Sequence, residues 1–287
     1  LAIYSMGNLL SDQGMNKDTQ ETALISVIVK DEKITQIQIQ PFVMDVYRME
    51  LRYADVEEAT GNISARTIAP HITDKTRLII VNSPSNPTGS VQTEEQMRSI
   101  AEIAEDKDIA VLSDEVYEHF IYRGSHFSPG QFSDNVITVN AVSKTYAMTG
   151  WRLGYLVARG CALEQLLKIH QYVQACASSV SQMAALAAVT GPQDCVAQMR
   201  DEFQSRRDLM VSGFQEMGVD LVVPEGAFYL FPRVGDGDVV AARLSSAGVI
   251  VVPGSAFGQG GREYIRLSYA AARPQLEVAL ARMKDIL

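Results

Sequence analysis

Apolar and polar positions alternate with two different periods between about residue 76 and residue 160. A helical period over 93–108 begins at Thr93, a predicted N-cap, and places Gln96 as its capping-box partner. Nearly continuous apolar runs surround this segment at 77–82 (RLIIVN), 109–117 (IAVLSDEVY), 135–144 (NVITVNAVSK) and 152–160 (RLGYLVARG). Apolar strands separated by helices or long loops predict an α/β fold, with a mostly parallel sheet sandwiched by helices.

The pattern changes character after residue 160. Residues 162–217 are mostly helical in period, with a break at TGPQD (190–194). Short apolar runs then alternate with a helix near 238–247, and a terminal helix begins at about Pro274. This order predicts a smaller C-terminal α+β domain.

We therefore divide the chain into a large domain over 1–170 and a connecting helix with a small C-terminal domain over 171–287. The first 75 residues also contain strand-like runs, but their pattern does not predict an order of strands.

Composition narrows the classes of function. The chain has 287 residues, of which 47% are hydrophobic and 21% charged, so it can bury a core and disorder is excluded. Its net charge of −9 and the lack of a basic block argue against nucleic acid or an anionic membrane as partners. The three cysteines have no metal-type spacing and an odd count, so we expect no metal site, no disulfide framework and a cytoplasmic location.

Polar residues follow the ends of the predicted strands, where ligands bind in open α/β sheets. Each residue taken alone also has a purely structural interpretation: a turn at Asn86, a helix N-cap at Asp114, a half-buried aromatic ring at Tyr117, a surface amine at Lys144 and an ion pair at Arg152. Their convergence on one sheet edge, together with Ser143, favours a ligand site.

Lys144 raises a question of its own, because apolar runs lie on both sides of it at 135–139 and 153–158. Burying an unpaired ammonium group costs several kcal/mol. Lys144 therefore either reaches the surface or performs a task that requires a neutral amine.

Five segments occur in the order of a known family: NSPSNPTG, SDEVY, SKTYAMTGWRLGY, PEGAFYLFP and YIRLSYA. From about residue 72 to the C-terminus the chain resembles the fold-type I pyridoxal-phosphate enzymes, and more closely the class I/II aminotransferases of the aspartate aminotransferase kind. The resemblance implies a large cofactor-binding domain, a small C-terminal domain and a homodimer. The N-terminal portion usual in that family is not matched, so we expect the large domain to be incomplete.

The resemblance also implies three catalytic residues. Lys144 matches the lysine that forms a Schiff base with pyridoxal 5'-phosphate and then moves the substrate proton. Asp114 matches the carboxylate that pairs with the pyridine nitrogen. Tyr117 matches the phenol that, with Asn86, forms hydrogen bonds to the ring oxygen.

The remaining binding residues follow in the same way. Ser143 and Arg152 match phosphate ligands, and Arg266 matches the arginine that binds the substrate carboxylate, for which an ordinary salt bridge is the structural alternative. Ser5 and Gly7 (YSMGNLL, 4–10) are candidates for the phosphate turn, and Phe42 is a candidate for stacking on the ring.

The implied function is a pyridoxal-phosphate-dependent aminotransferase that exchanges an amino group between an amino acid and a 2-oxo acid. Two alternatives stay open: a β-lyase or decarboxylase on the same scaffold, and a catalytically silent domain that retains the fold. The sequence does not indicate which amino acid is used.

Overall fold

The structure is a computed structural model that describes residues 2–4, 21–30, 33–43, 54, 56–57, 60–174 and 176–287. Contacts divide the chain into two units, Leu1–Arg52 and Tyr53–Leu287. The predicted boundary near residue 170 stays a prediction. Within the described residues, no helix is both long and apolar enough to cross a membrane.

The first unit contains an antiparallel sheet in the order β1-β2-β3. Its strands are β1 (Ala2–Tyr4), β2 (Glu21–Lys30) and β3 (Lys33–Val43). In the β2–β3 pair, Ile25 lies opposite Ile39 and Val27 opposite Ile37, with a bulge at Ile28/Val29. The strand-like runs of the sequence are thus strands, arranged as neighbours in chain order.

The second unit is built on a four-stranded sheet in the order β4-β5-β6-β7. Strands β4 to β6 are parallel, as predicted, and β7 is antiparallel to β6. The segment between β6 and β7 contains only single-turn helices, which are too short to carry the chain back along the sheet. The elements of this part are α1 (Ala65–Ile68), β4 (Leu78–Asn82), α2 (Glu94–Asp106), β5 (Ala110–Asp114), β6 (Val136–Ala141), α3 (Val142–Thr145) and β7 (Gly154–Val157).

Helix α2 covers one face of this sheet. Its buried residues Met97, Ile100 and Ala104 recur at helical spacing and pack in one cluster with residues of β4 and β5. The predicted capping box is confirmed, because Gln96 Oε1 accepts from the Thr93 amide at 2.8 Å and Thr93 Oγ1 accepts from the Gln96 amide at 3.3 Å.

Three helices follow the sheet: α4 (Gly160–Val173), α5 (Ser179–Thr190) and α6 (Asp194–Glu216). The break predicted at 190–194 is confirmed, and a second break separates α4 from α5. The sequence pattern missed it, since no glycine or proline marks it. Serines at 178 and 179 are consistent with a helix start there, because Ser favours helix ends over interiors.

The C-terminal part is an α+β unit with an antiparallel sheet in the order β8-β10-β9. Its core includes Leu230, Leu244 and Ile265, and the same cluster contains Tyr117 and Phe120 from the segment after β5. The elements are β8 (Tyr229–Leu230), α7 (Gly237–Ser246), β9 (Val252–Pro253), β10 (Ile265–Ser268) and α8 (Arg273–Met283).

Two of the family-like segments are joined directly by backbone hydrogen bonds. The carbonyl of Gly89 accepts from the amides of Glu225 at 2.9 Å and Gly226 at 2.8 Å. A Cβ on Gly89 would lie 2.5 Å from Pro224 Cβ, and one on Gly226 would lie 2.8 Å from Pro84 Cβ. This close approach explains both glycines and brings PEGAFY against the loop after β4.

Candidate active site

The ends of β4 and β5 are tied together by the side chain of Asn82. Its Nδ2 donates to the Asp114 carbonyl at 3.0 Å, and its Oδ1 accepts from the Asn86 amide at 2.7 Å. Asn82 therefore fixes the start of the loop that carries Asn86 beside the end of β5. The sequence analysis did not identify this residue, although it stands at a predicted strand end.

Asp114 is a half-buried carboxylate at the end of β5. Burial raises its pKa, and the neighbouring Glu115 acts in the same direction. A hydrogen bond from the Val116 amide at 3.2 Å and the positive charge of Lys144 oppose that rise. Asp114 is therefore not the helix N-cap of its structural interpretation, because residues 116–119 form a turn and not a helix. It also lies within the electrostatic reach of Lys144.

Tyr117 is buried, with 4% of its surface exposed. Its hydroxyl lies 2.8 Å from the Tyr229 hydroxyl, and its ring meets the rings of Phe228 and Tyr229 edge to face. Burial, followed by the hydrogen bond with Tyr229, raises the pKa of Tyr117 well above its usual value. The phenol is therefore protonated at neutral pH and can donate a hydrogen bond.

Lys144 lies in α3, directly after the carboxyl end of β6. Its Nζ is 6.0 Å from the ring centroid of Tyr117 and 5.8 Å from that of Phe228. The amine is half-buried and faces an aromatic wall. The structure thus brings Lys144 beside Asp114 and Tyr117, as the convergence of strand ends predicts.

Ser143 and Arg152 are brought together through Thr149. Thr149 Oγ1 donates to the Ser143 carbonyl at 3.0 Å, and Arg152 Nη1 donates to the Thr149 carbonyl at 3.0 Å. Arg152 is exposed and has a φ of 52°. A left-handed backbone is uncommon for arginine, so the turn holds this residue in a specific direction.

Arg266, in β10, is held by aromatic and amide contacts. Its guanidinium lies 4.8 Å from the ring centroid of Tyr229 and 5.1 Å from that of Phe257, and its Nη1 donates to Asn86 Oδ1 at 3.0 Å. Its Nε is buried and has no hydrogen-bond partner among the described residues. The ordinary salt bridge considered for Arg266 is absent from that part of the chain.

An acidic cluster lies next to these residues and is accounted for by hydrogen bonds. Glu115 Oε2 lies 2.8 Å from His126 Nε2, and Ser128 Oγ donates to Glu115 Oε1 at 2.6 Å. Burial acts to raise the pKa of Glu115, but the bonds from His126 and Ser128 outweigh it and the pKa is lowered. The carboxylate of Glu118 lies close to Glu115 and His126, and these three side chains could together hold a metal ion. Glu118 Oε1 accepts a hydrogen bond from Asn140 Nδ2 at 2.6 Å.

Sequence reasoning missed the aromatic residues of the site. Tyr229, Phe228 and Phe257 surround Arg266 and Lys144, and the first two belong to PEGAFYLFP, a segment to which the sequence assigned no role. The candidates Ser5 and Gly7 lie outside the described residues. Phe42 lies in β3, where only the backbone is described.

Comparisons with known proteins show the family of this chain. Residues 23–283 match the family model described as aminotransferase class I and II. A probable aspartate aminotransferase of Methanocaldococcus jannaschii is 46% identical over 246 residues, which cover 83% of this chain and 65% of that protein. The aromatic-amino-acid aminotransferase 2 of Thermococcus litoralis is 42% identical over 243 residues, covering 80% and 62%.

A solved structure is also similar to this chain. The aromatic aminotransferase of Pyrococcus horikoshii OT3 superposes with a TM-score of 0.77 and 41% identity, and the match covers 81% of this chain and 65% of that one. The chain spans less than two thirds of the length of each of these three relatives.

Proposed function

We propose that this chain, which belongs to the aminotransferase class I and II family, moves an amino group between an amino acid and a 2-oxo acid with pyridoxal 5'-phosphate as its cofactor. The observation that carries the proposal is the position of Lys144 Nζ. It lies 6.0 Å from the Tyr117 ring centroid and within the electrostatic reach of Asp114, at adjacent strand ends.

The chemistry of the side chains fits this cofactor. An amine can bind the aldehyde of the cofactor, and a carboxylate can pair with its ring nitrogen. A phenol and an amide can form hydrogen bonds to the ring oxygen, and a hydroxyl and a guanidinium can bind the phosphate. The chain offers these groups at Lys144, Asp114, Tyr117, Asn86, Ser143 and Arg152. When bound, pyridoxal phosphate supplies a ring that accepts electrons from the substrate α-carbon.

Lys144 would hold the cofactor through its side-chain amine and, once released, carry the proton to and from the substrate α-carbon. The rings of Tyr117 and Phe228 beside Nζ exclude water on that side. Fewer competing water molecules favour direct proton transfer between the amine and a bound substrate.

Asp114 would face the ring nitrogen with its carboxylate. Burial leaves its anion poorly solvated and so raises its pKa, and a further cationic partner would stabilise the anion. A protonated ring nitrogen would provide that partner, and the negative charge would in turn retain the proton on nitrogen.

Arg266 would bind the substrate α-carboxylate. Its Nε is buried without a partner in the described part of the chain, and its Nη1 donates to Asn86. A guanidinium with a free buried donor is suited to a carboxylate, which accepts two parallel hydrogen bonds. Asn86, which accepts a hydrogen bond from Arg266, would lie between the substrate carboxylate and the ring oxygen of the cofactor.

Exposed apolar side chains support a homodimer. They lie on three elements that follow one another in the chain, β7, α4 and α5, and monomeric proteins rarely expose large apolar patches. The most exposed of them are Tyr155, Val157, Leu167, Ile169, Tyr172, Val180 and Met183. The free, exposed thiols of Cys176 and Cys195 support a cytoplasmic location, where thiols stay reduced.

Borohydride reduction tests the position of the cofactor. The purified protein is mixed with pyridoxal 5'-phosphate, reduced, digested and mapped by mass spectrometry, with a Lys144→Arg variant as control. We expect the pyridoxyl group on the Lys144 peptide of the wild type alone. A label on another lysine, or no label, contradicts the proposal.

A turnover assay tests the reaction itself. An amino acid is supplied with and without a 2-oxo acid acceptor, and the products are measured. We expect continued turnover only with the acceptor. Release of ammonia and pyruvate, or of carbon dioxide, without an acceptor would instead indicate a β-lyase or a decarboxylase on this scaffold.

A further inference from the structure

Two buried hydroxyl groups meet at the centre of the candidate active site. Tyr117 Oη and Tyr229 Oη lie 2.8 Å apart, although 112 positions separate the two residues in the chain. Their rings are packed edge to face, with centroids 5.6 Å apart, and both residues are buried. Packing therefore holds both hydroxyls in place, and the bond between them has a fixed geometry.

Tyr229 also contacts Arg266. The guanidinium lies 4.8 Å from the Tyr229 ring centroid, within the range of a cation–π interaction. A single side chain thus touches the phenol assigned to the cofactor and the cation assigned to the substrate carboxylate. Tyr229 thus contacts both Tyr117 and Arg266.

The number of available protons restricts how the two hydroxyls can bond. Each hydroxyl carries one proton and can accept as well as donate. When Tyr229 donates to Tyr117, the proton of Tyr117 is left for a third acceptor. Among the described residues neither hydroxyl has another partner, so a ligand oxygen can take that place.

We propose that Tyr229 is a positioning residue that directs the Tyr117 proton toward the cofactor oxygen and transmits the occupancy of Arg266 to Tyr117. This inference rests on the proposed function. The guanidinium charge at the Tyr229 ring strengthens its hydroxyl as a donor. A carboxylate bound to Arg266 offsets that charge, and the hydrogen bond from Tyr229 to Tyr117 weakens.

The pH titration of the lysine-bound cofactor is the measurement that tests this role. The visible spectrum of that chromophore changes with its protonation, and a hydrogen-bond donor at its oxygen favours the deprotonated form. Tyr229→Phe keeps the ring against Arg266 and removes the hydroxyl. We expect the pH midpoint to rise by about 0.5 to 1 unit, which corresponds to the loss of one hydrogen bond.

Maleate, a carboxylate that has no amino group to transfer, tests the transmission. In the wild type we expect bound maleate to raise the pH midpoint above its value without maleate. In Tyr229→Phe we expect a smaller rise, because the path through the hydroxyl is missing. The matched control is Tyr264→Phe, which removes a hydroxyl from a ring that stacks on Phe231 and should leave the midpoint unchanged.

A second variant works in the opposite direction. Replacing Tyr229 by 3-fluorotyrosine retains the shape and makes the hydroxyl a stronger donor, so the midpoint should fall. This variant also keeps the inference testable if Tyr229→Phe does not fold.

The outcomes separate the inference from the function on which it rests. If the wild type shows no cofactor absorbance, both are overturned. If the wild type binds the cofactor and neither Tyr229 variant shifts the midpoint, or both variants shift it in the same direction, the positioning role is overturned and the proposed function stands. Opposite shifts in the two variants, with a reduced maleate effect in Tyr229→Phe, support the role.

Discussion

Arg266 Nη1 donates a 3.0 Å hydrogen bond to Asn86 Oδ1, which joins two side chains that lie 180 positions apart in the chain. Asn86 is in turn fixed by Asn82, whose side chain also holds the carbonyl of Asp114. The arginine assigned to the substrate is therefore connected by hydrogen bonds to the strand end assigned to the cofactor.

Arg266→Lys should lower kcat/KM by about 10- to 100-fold, since lysine cannot form the parallel bonds of a guanidinium to a carboxylate. Steady-state kinetics at several amino acid concentrations provide the measurement. The control is Arg262→Lys, an exposed arginine nearby in sequence. Equal losses in the two variants would contradict a specific role for Arg266.

Asp114→Asn should reduce the rate of α-proton removal by about 100- to 1,000-fold, because the amide has no charge to retain a proton on the ring nitrogen. The rate is measured as exchange of the substrate α-proton with deuterium, followed by NMR. Asp134→Asn, at an exposed carboxylate that pairs with Arg159, is the control and should exchange at the wild-type rate. An unchanged rate in Asp114→Asn would rule out the assigned role.

The positions of several candidate residues at strand ends could be predicted from the sequence. Asn86, Asp114, Tyr117 and Lys144 were found because each follows an apolar strand, and parallel strands end at a common edge. The capping box at Thr93 could also be predicted, because its two partners are only three residues apart in the sequence.

The long-range parts were not predictable in the same way. The bond between Tyr117 and Tyr229 joins segments 112 positions apart, and no local period encodes that contact. The antiparallel direction of β7 depends on the shape of a short connection, and the second helix break has no glycine or proline to mark it. Each depends on how the chain packs, which patterns along the sequence do not specify.

Gly89→Ala should destabilise the protein by about 2 to 4 kcal/mol. The residue has a φ of 71°, and an added Cβ would lie 2.5 Å from Pro224 Cβ, so strain and a steric clash add together. Urea unfolding measures the change in free energy. Gly124→Ala is the matched control, because Gly124 has a φ of 83° and open space around it, and only the strain of about 1 kcal/mol remains. Equal costs at the two positions would contradict the close approach.

Glu115→Gln should remove stability that depends on pH. The lowered pKa of Glu115, set against its usual 4.5, means that the unfolded chain binds a proton more readily than the folded protein does. The stabilisation is therefore fully present above about pH 4.5 and is lost as the pH falls through the folded pKa. At neutral pH the variant should be less stable by about 1 to 3 kcal/mol, because His126 and Ser128 lose a charged partner.

Urea unfolding of both proteins between about pH 3 and pH 7 checks this expectation, and the difference between them should shrink toward the acidic end. The control is Glu105→Gln at an exposed position of α2. A difference that stays constant with pH would show that the charge of Glu115 does not contribute.

Val180→Asp should weaken the proposed homodimer. Val180 has 67% of its surface exposed at the start of α5, and the neighbouring helix α4 carries Tyr172, which is 91% exposed. A carboxylate buried at an apolar interface loses its hydration without gaining a partner, so the dimer dissociation constant should rise by about 10-fold or more. Sedimentation at several protein concentrations measures it. Val239→Asp is the matched control, because Val239 is 54% exposed on α7, outside the proposed apolar surface, and should leave the dissociation constant unchanged. A monomeric wild type, or equal effects of the two substitutions, would contradict an interface on β7, α4 and α5.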